Sequence, residues 1–461
     1  MIVVETIVAR PCAMAADSDN PGQAPSPVLP YPEDRMKREK NFALAIALAL
    51  SIGTMGCVEE YQEELPPRDG LYYPIGLEVH PNGRFLYVVN SNFDLRYRPD
   101  QGGTVTVIDT ETMELLPSAS PYLPSFGGHV ALNEEATRAY VTSRKRDQVT
   151  VLTVADQGQA LFCEVDGERS SDTRPCTVGR LPDTREGSTI PRDPFGIAVS
   201  RTERTIGGVS TELDVVHLSH LSGENVTALT FPEGNIAGAT LRSGALIPGG
   251  GNQLALRPGT QDVYVVGRDS NRIEGFRPFI DSRGAVEAIV RVASSAVVRQ
   301  GTRMDARGIA FDESGEWMYV ASRRPNALHI LRVTNGTPQV VTSIPLERRP
   351  SEAIYHRGAD GVARLYVPSY RQGIIEVIDP ELEAVVDTIE VGRSPYYMVV
   401  DSPEVHCTAP GQRCWGYVSL FDSAPDGERR CDDDAPLCGQ VAVIDLDPDS
   451  ETFHTVIDTI E

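Results

Sequence analysis

Apolar and polar positions along this chain alternate in short runs, and one run keeps returning. FLYVVNSN (85–92) is β-branched and aromatic until it stops at Asn and Ser. Nearly the same phrase recurs as RAYVTSRK (138–145), DVYVVGRD (262–269), WMYVASRR (317–324), RLYVPSYR (364–371) and WGYVSLFD (415–422). Runs of this composition, bounded by turn residues, predict strands. Aligned on the aromatic, with Val215 in the unit that lacks one, they fall at 87, 140, 215, 264, 319, 366 and 417. The intervals are 53, 75, 49, 55, 47 and 51 residues, a period that marks a repeat architecture. The long interval holds an insertion with Cys163 and Cys176, so that unit is decorated rather than lost.

Each unit has the same internal order. A shorter strand comes first: PIGLEV (74–79), GGHVAL (127–132), PFGIAV (194–199), GNQLAL (251–256), ARGIAF (306–311), PSEAIY (350–355) and PYYMVV (395–400). Polar turns such as HPNG (80–83) and DESG (312–315) then lead into the aromatic strand, as in hairpins. A third, alternating strand follows in six units, from TVTVIDT (104–110) to VAVIDLD (441–447). A fourth is legible in the last two, VVDTIEV (385–391) and HTVIDTI (454–460). Four antiparallel strands repeated seven times predict an all-β fold, a seven-bladed β-propeller over residues 72–461. A lone four-stranded sheet cannot bury both faces, whereas blades stacked around an axis can. Because the last unit owns all four strands, no shared closing strand is expected, and Tyr72 and Tyr73 are placed to help seal the seam.

PIGLEVHPNGRFLYVVNSN followed by TVTVIDT resembles the YVTN family of β-propeller repeats, whose phrase runs close to P-x-G-I-A-V-x-P-D-G-x-x-L-Y-V-x-N, then V-x-V-I-D. The resemblance covers about residues 72–461. It implies the propeller fold; among such proteins are surface and envelope proteins, lactonase-like hydrolases and quinoprotein-like enzymes, so it does not fix a function.

The first 57 residues follow a different logic. A basic cluster, MKREK (36–40), precedes the apolar stretch FALAIALALSIGTMG, which ends at Cys57. This order reads as an export signal over 36–57 and is too short for a comfortable membrane span. TMGC resembles a bacterial lipobox, which implies a lipid on Cys57 and anchoring to a membrane of the cell envelope. Residues 1–35 read as an over-extended, disordered start, and 58–71 as a linker. Six further cysteines agree with an oxidising compartment: Cys163, Cys176, Cys407, Cys414, Cys431 and Cys438. Local pairing 163–176, 407–414 and 431–438 is favoured because short loops close easily. The absence of CxxC argues against zinc and thioredoxin-like chemistry.

The chain carries a formal charge of −23, which excludes a general nucleic-acid binder. Residues 1–57 hold 5 basic and 6 acidic side chains, so the remainder keeps −22 and the acidity belongs to the propeller. Against that background two sets of residues stand out. The positions that open the inner strands bring His129, Asn252, Gln253, Arg307, Glu352, Tyr396 and Tyr397 toward the central channel, with Gly in three blades leaving room. The exits of the aromatic strands, expected on the same face, carry Arg144, Lys145, Arg268, Arg323, Arg324 and Arg371. Guanidinium groups bind carboxylates and phosphates, so this face predicts an acidic envelope protein, a polysaccharide or a small anion as partner.

Other motifs carry less. His217 and His220 of HLSH point to opposite strand faces. CDDDAPLC (431–438) reads as a solvated acidic loop, and DLDPDSE (445–451) lacks the Gly and Glu of a calcium loop. No GxSxG, HExxH or P-loop occurs. Neither a cofactor nor a metal is expected. The leading expectation is an exported binding or scaffold module; the alternative is a lactonase-like hydrolase using His129, Glu352 and Arg307.

Overall fold

A computed structural model describes residues 64–461, apart from 181–188, 300, 348, 425–430 and 432–436. The stretch 36–57 read as an export signal, with Cys57, and residues 1–35 lie outside the described residues. Seven antiparallel sheets form in chain order, and each runs from first to fourth strand without a crossover. The inner strands are Pro74–Val79, Gly127–Leu132, Pro194–Ile206, Gly251–Leu256, Ala306–Phe311, Ile354–Arg357 and Pro395–Val400. Each touches the inner strand of the next blade, and the seventh touches the first, so the sheets close a disc around one axis. The expected seven-bladed propeller is the observed fold.

The second strands explain why one phrase is rewritten. Tyr87, Tyr140, Tyr264, Tyr319, Tyr366 and Tyr417 are buried between blades. Four of them reach the next blade with their hydroxyl, three at its outer turn and Tyr140 at its second strand. Tyr87 donates to the Gly158 carbonyl at 2.7 Å, and Tyr264 donates to that of Gly336. Tyr140 donates to Asp214 at 2.6 Å, and Tyr366 lies 3.2 Å from the His454 imidazole. Blade 3 has Val215 in this column, and there Thr230 of the third strand donates to the Gly284 carbonyl of blade 4 at 2.8 Å. A large ring fills the wedge between sheets while its polar end finds an acceptor, which is how a buried Tyr avoids a desolvation cost.

Nearer the axis, a hydroxyl of the second strand latches neighbouring blades. Thr142 accepts from the His129 N–H at 3.0 Å and donates to the Phe195 carbonyl of the next blade at 2.8 Å. Ser219 joins blades 3 and 4 in the same way, through Gly196 N–H and the Asn252 carbonyl. Ser419 repeats it across the closure, accepting from Tyr397 N–H at 3.1 Å and reaching the Ile75 carbonyl at 3.5 Å. The seam therefore uses the same device as internal joints. It is reinforced by Tyr72, which pairs in parallel with Cys438, and by the Cys438 N–H, which donates to Leu71 at 3.0 Å.

Three departures from the sequence reading have local causes. Blade 4 has a third strand, Arg272–Ile280, that Gly275 and Pro278 hide from pattern reading. Blade 6 starts its inner strand at Ile354 rather than Pro350, because only an isolated Pro350–Ser369 bridge precedes it. Fourth strands are present in all seven blades, although in blade 1 the strand is only Glu114–Leu115. The three disulfides form as expected, Cys163–Cys176, Cys407–Cys414 and Cys431–Cys438.

Tyr87→Phe strands the buried Gly158 carbonyl and should lower unfolding free energy by roughly 1–3 kcal/mol. Urea unfolding with an unchanged m-value is the readout, and Tyr87→Ala should cost about 3–5 kcal/mol, because it also empties the wedge.

Candidate functional site

The inner strands do not run smoothly past the axis. In six blades their pairing with the second strand skips one or two residues, between Gly127 and Val130 and between Pro395 and Met398 for example. These bulges fall on the two positions singled out by sequence, and an extra residue in a bulge re-aims its neighbours. The second position reads Gly76, His129, Gly196, Gln253, Gly308, Glu352, Tyr397 around the ring. Each glycine precedes a blade with a larger side chain. A Cβ on Gly308 would lie 2.5 Å from Glu352 Oε1, and one on Gly196 would lie 2.9 Å from Gln253 Oε1. The glycines let polar side chains from alternate blades meet on the axis.

Those side chains form a short network. Gln253 Nε2 stands 2.8 Å from His129 Nε2, and the Gln253 side chain also approaches the Glu352 carboxyl. The His129 ring is held edge-on by Phe195 and Tyr397, at centroid distances of 4.7 and 4.6 Å. Burial dominates the electrostatics. It pushes His129 down to about 3 and raises both Glu352 and Glu78 to about 8, so all three are uncharged near neutrality. Tyr397 is raised by burial first and by the Glu352 and Glu78 carboxyls second.

His129, Gln253, Glu352 and Tyr397 are the floor of a cavity of about 540 Å³. It opens past the turns that follow the inner strands, where Pro81, Ser402 and Glu404 line its rim. The sequence reading placed these four on the same mouth as the arginines. The structure instead divides the set, because adjacent residues of a bulge face opposite ends of the channel. Neither Arg307 nor Tyr396 lines this cavity, and Asn252 is a strut whose Nδ2 donates to the Ala306 carbonyl of the next blade at 3.1 Å.

Arg307 and Tyr396 belong to the opposite mouth. Burial raises the Tyr396 phenol, the charges of Arg307, Arg323 and Arg144 oppose that rise, and Glu352 adds to it from across the constriction. Arg323 turns inward, its Nε donating to the Pro350 carbonyl at 2.9 Å. Burial and then the adjacent Arg307 bring its guanidinium down to about 10, and Arg349 adds to the repulsion. Arg307 is paired with Asp305 at 2.8 Å and Arg144 lies 3.5 Å from Asp193. Arg371 joins Arg349 and Arg393, two arginines the sequence reading missed, around a second cavity of about 750 Å³. Arg268 and Arg324 are exposed. Aromatic rings run beside the cations: Tyr370, Tyr396, Phe421, Tyr73, Phe93 and Phe126 follow one another at centroid distances of 5.3–6.3 Å. Lys145 and Arg144 sit over Phe126, at 5.8 and 5.4 Å.

The weaker motifs have structural uses. His217 bonds Ser200 at 3.1 Å, and His220 bonds Thr227 at 2.9 Å and lies 3.2 Å from the Arg192 carbonyl, so the two do not share a ligand. Asp445 and Asp447 cap the turn before the last strand. The carboxylates of CDDDAPLC lie outside the described residues. Where His356 adjoins Cys407 and Cys414, both sulfurs are already in a disulfide.

Comparison with known proteins adds shape. No protein-family model and no curated protein matches the sequence. Among solved structures, the Pseudomonas aeruginosa periplasmic gluconolactonase is similar at 17% identity, over 70% of this chain and 87% of that one, with a TM-score of 0.50. Kuenenia stuttgartiensis hydrazine synthase is similar at 13% identity, over 86% and 100%, with a TM-score of 0.52. A putative 6-phosphogluconolactonase from Bacteroides fragilis matches at 15% identity over 69% and 84%, with a TM-score of 0.46. The neighbours are thus lactonase-like and other β-propellers, and what they share with this chain is the fold.

The buried groups give pH signatures of opposite sign. Glu352 and Glu78 rise from an ordinary 4.5, so their contribution to stability is complete below about 4.5 and is lost as pH climbs through about 8. His129 falls from 6.5, so its contribution holds above 6.5 and is lost as pH drops through about 3. His217, His220, His329 and His356 are lowered to about 4 by burial, so the histidine contributions are complete above about pH 6.5; from there to pH 9 urea midpoints should decline, and Glu352→Gln should flatten part of that decline.

Proposed function

We propose that this chain is an exported, lipid-anchored propeller of a bacterial envelope that captures a carboxylate- or phosphate-bearing partner on its arginine face. The observation that carries the reading is one cavity lined by three guanidinium groups, Arg349, Arg371 and Arg393. Arg393 Nε is buried and has no hydrogen-bond partner among the described residues. The tract continues toward the axis through Arg323 and Arg307, where burial first and then the adjacent Arg307 depress Arg323. Packing like charges in a partly desolvated site is unfavourable without an anion, and forked guanidinium donors suit planar carboxylates and phosphates. Glu390 and Asp422 also line the cavity and temper its charge. The neighbouring Tyr370 and Tyr396 rings offer flat apolar surface, so a sugar acid, a sugar phosphate or an acidic polysaccharide suits this mouth better than a bare ion. The export and anchor parts of the proposal rest on residues 36–57.

A second reading, hydrolysis of a lactone or ester, draws on the neutral His129 joined through Gln253 to a protonated Glu352. A neutral imidazole and a carboxylic acid are a base and an acid in one cavity. Arg307 lies on the other side of the constriction, so the expected trio does not converge.

Charge reversal of Arg349, Arg371 and Arg393 to Glu should weaken binding of a sugar phosphate or an acidic polysaccharide at least about tenfold, measured by calorimetry. Affinity of the parent should fall with added salt. Unchanged affinity in the triple variant would remove the arginine face from the account, and lactone turnover lost in His129→Ala would move the function to the channel. Cys57→Ser should shift the native protein from the membrane pellet to the soluble fraction.

A further inference from the structure

The cavity on the far side of the constriction has chemistry of its own. Its walls are aliphatic, with Val130, Leu254, Ile309 and Met398 among them. Its carboxyl groups are Glu352 at the floor and Glu78, Asp401 and Glu404 along the way to the rim. No Lys or Arg lines it. Arg413 neutralises Asp401 at 2.9 Å from behind.

Two atoms at the floor stand out from this acidic lining. Glu352 is 4% exposed and its Oε2 has no hydrogen-bond partner among the described residues, while Oε1 accepts from the Ala353 N–H. His129 is 3% exposed; its Nε2 accepts from the Gln253 amide, so its unpartnered Nδ1 carries the hydrogen and plays no part in holding a cation. Leaving a buried polar atom unmatched is unfavourable, and the Glu352 oxygen calls for a donor from an occupant. The Tyr397 ring beside them presents an aromatic surface. A cavity of about 540 Å³ is in the size range of a small organic ligand.

We infer that this channel is a binding site for an organic ammonium ion with an aliphatic body, its cationic head on Glu352 and its tail along Val130, Leu254, Ile309 and Met398. A free anion is disfavoured because no cation meets it. A chelated metal ion is disfavoured because, among the described residues, the groupings of His, Cys and carboxylate atoms close enough to share an ion lie elsewhere. Aliphatic walls reward a hydrocarbon tail by about fourfold in affinity per buried CH₂. The aromatic Tyr397 adds attraction for a desolvated cation. Entry of the head favours the charged carboxylate, so Glu352 gives up its proton to solvent as the ligand binds. Besides Glu78, the groups that face Glu352 along the channel are His129 and Tyr397, with Asp401, Glu404, His356 and Tyr355 farther out.

The test is titration calorimetry on the full chain with butyl-, hexyl- and octylammonium, with the matching alcohols and carboxylates as controls. Ammonium ions should bind at least about tenfold more tightly than alcohols of equal length, and affinity should increase with chain length. Binding should tighten from pH 6 to pH 9, and at pH 7 it should release about one proton, read from buffers of different ionisation enthalpy. Glu352→Gln, which keeps the shape of the protonated acid, should cost at least about tenfold, and Ile309→Trp should block the channel. Arg393→Glu, at the other mouth, should leave the ammonium affinity unchanged, so this proposal and the anion-face proposal fail separately. Equal affinity for alcohol and ammonium, undiminished binding in Glu352→Gln and Ile309→Trp, or binding of calcium or zinc ions alone at Glu352 without any ammonium affinity would overturn it.

Discussion

The structure depends on a buried tyrosine in the second strand of most blades, wedged against the next sheet. Sheets stacked around an axis diverge outward, and the gap needs volume placed away from the centre. Tyr supplies that volume, and its hydroxyl ends where the neighbour's turn offers an acceptor, as Gly158 and Gly336 do. The contact is apolar along most of its length and polar only at the tip, so it sets spacing as well as stability. Where Val215 replaces Tyr, Thr230 takes over the polar tip. Conservation of that geometry between unlike residues shows that the constraint is the joint, and the residue is one solution to it.

Fixing the joints far from the axis frees the inner strands to be irregular. Their bulges would weaken a free-standing sheet, yet here Thr142, Ser219 and Ser419 satisfy the displaced backbone groups and tie them to the next blade. The consequence is a plugged channel rather than an open one. His129, Gln253, Glu352 and Tyr397 meet at the constriction, with glycines from the intervening blades making the room. Neighbouring residues of a bulge leave in opposite directions, which gives the disc two unlike mouths: one with crowded arginines and aromatic rings, the other with carboxyl groups and aliphatic walls. An acidic protein can thereby keep a cationic surface without spreading it.

Much of this was legible in the sequence, for reasons that can be named. The Tyr column, the polar turns and the glycines recur because each joint repeats one geometry, and local spacing alone brought the three disulfide pairs together. Outer strands were hard to read because one face is solvated: Ala384–Glu390 is mostly exposed, and in blade 1 the strand is only Glu114–Leu115. The side of the constriction each residue serves was not legible either, since alternation fails inside a bulge and Tyr396 and Tyr397 part company there. Arg349 and Arg393 are not legible from the exits of the second strands. They sit in the lead-in to the inner strands, just ahead of Pro350 and Pro395, where the chain turns left-handed at Arg349 and Ser394 with φ of 64° and 57°. Six blades have such a left-handed lead-in residue, and that recurrence could have pointed to a second ring of side chains around the same mouth.

The separation of opposite chemistries on the two mouths is the claim on which both ligand readings stand. Anomalous diffraction from crystals soaked in bromide measures it directly. The account predicts bromide peaks among Arg349, Arg371 and Arg393 and beside Arg323, with none between Glu352 and Glu404. Bromide in the carboxyl-lined channel, or an arginine face that attracts none, would contradict it.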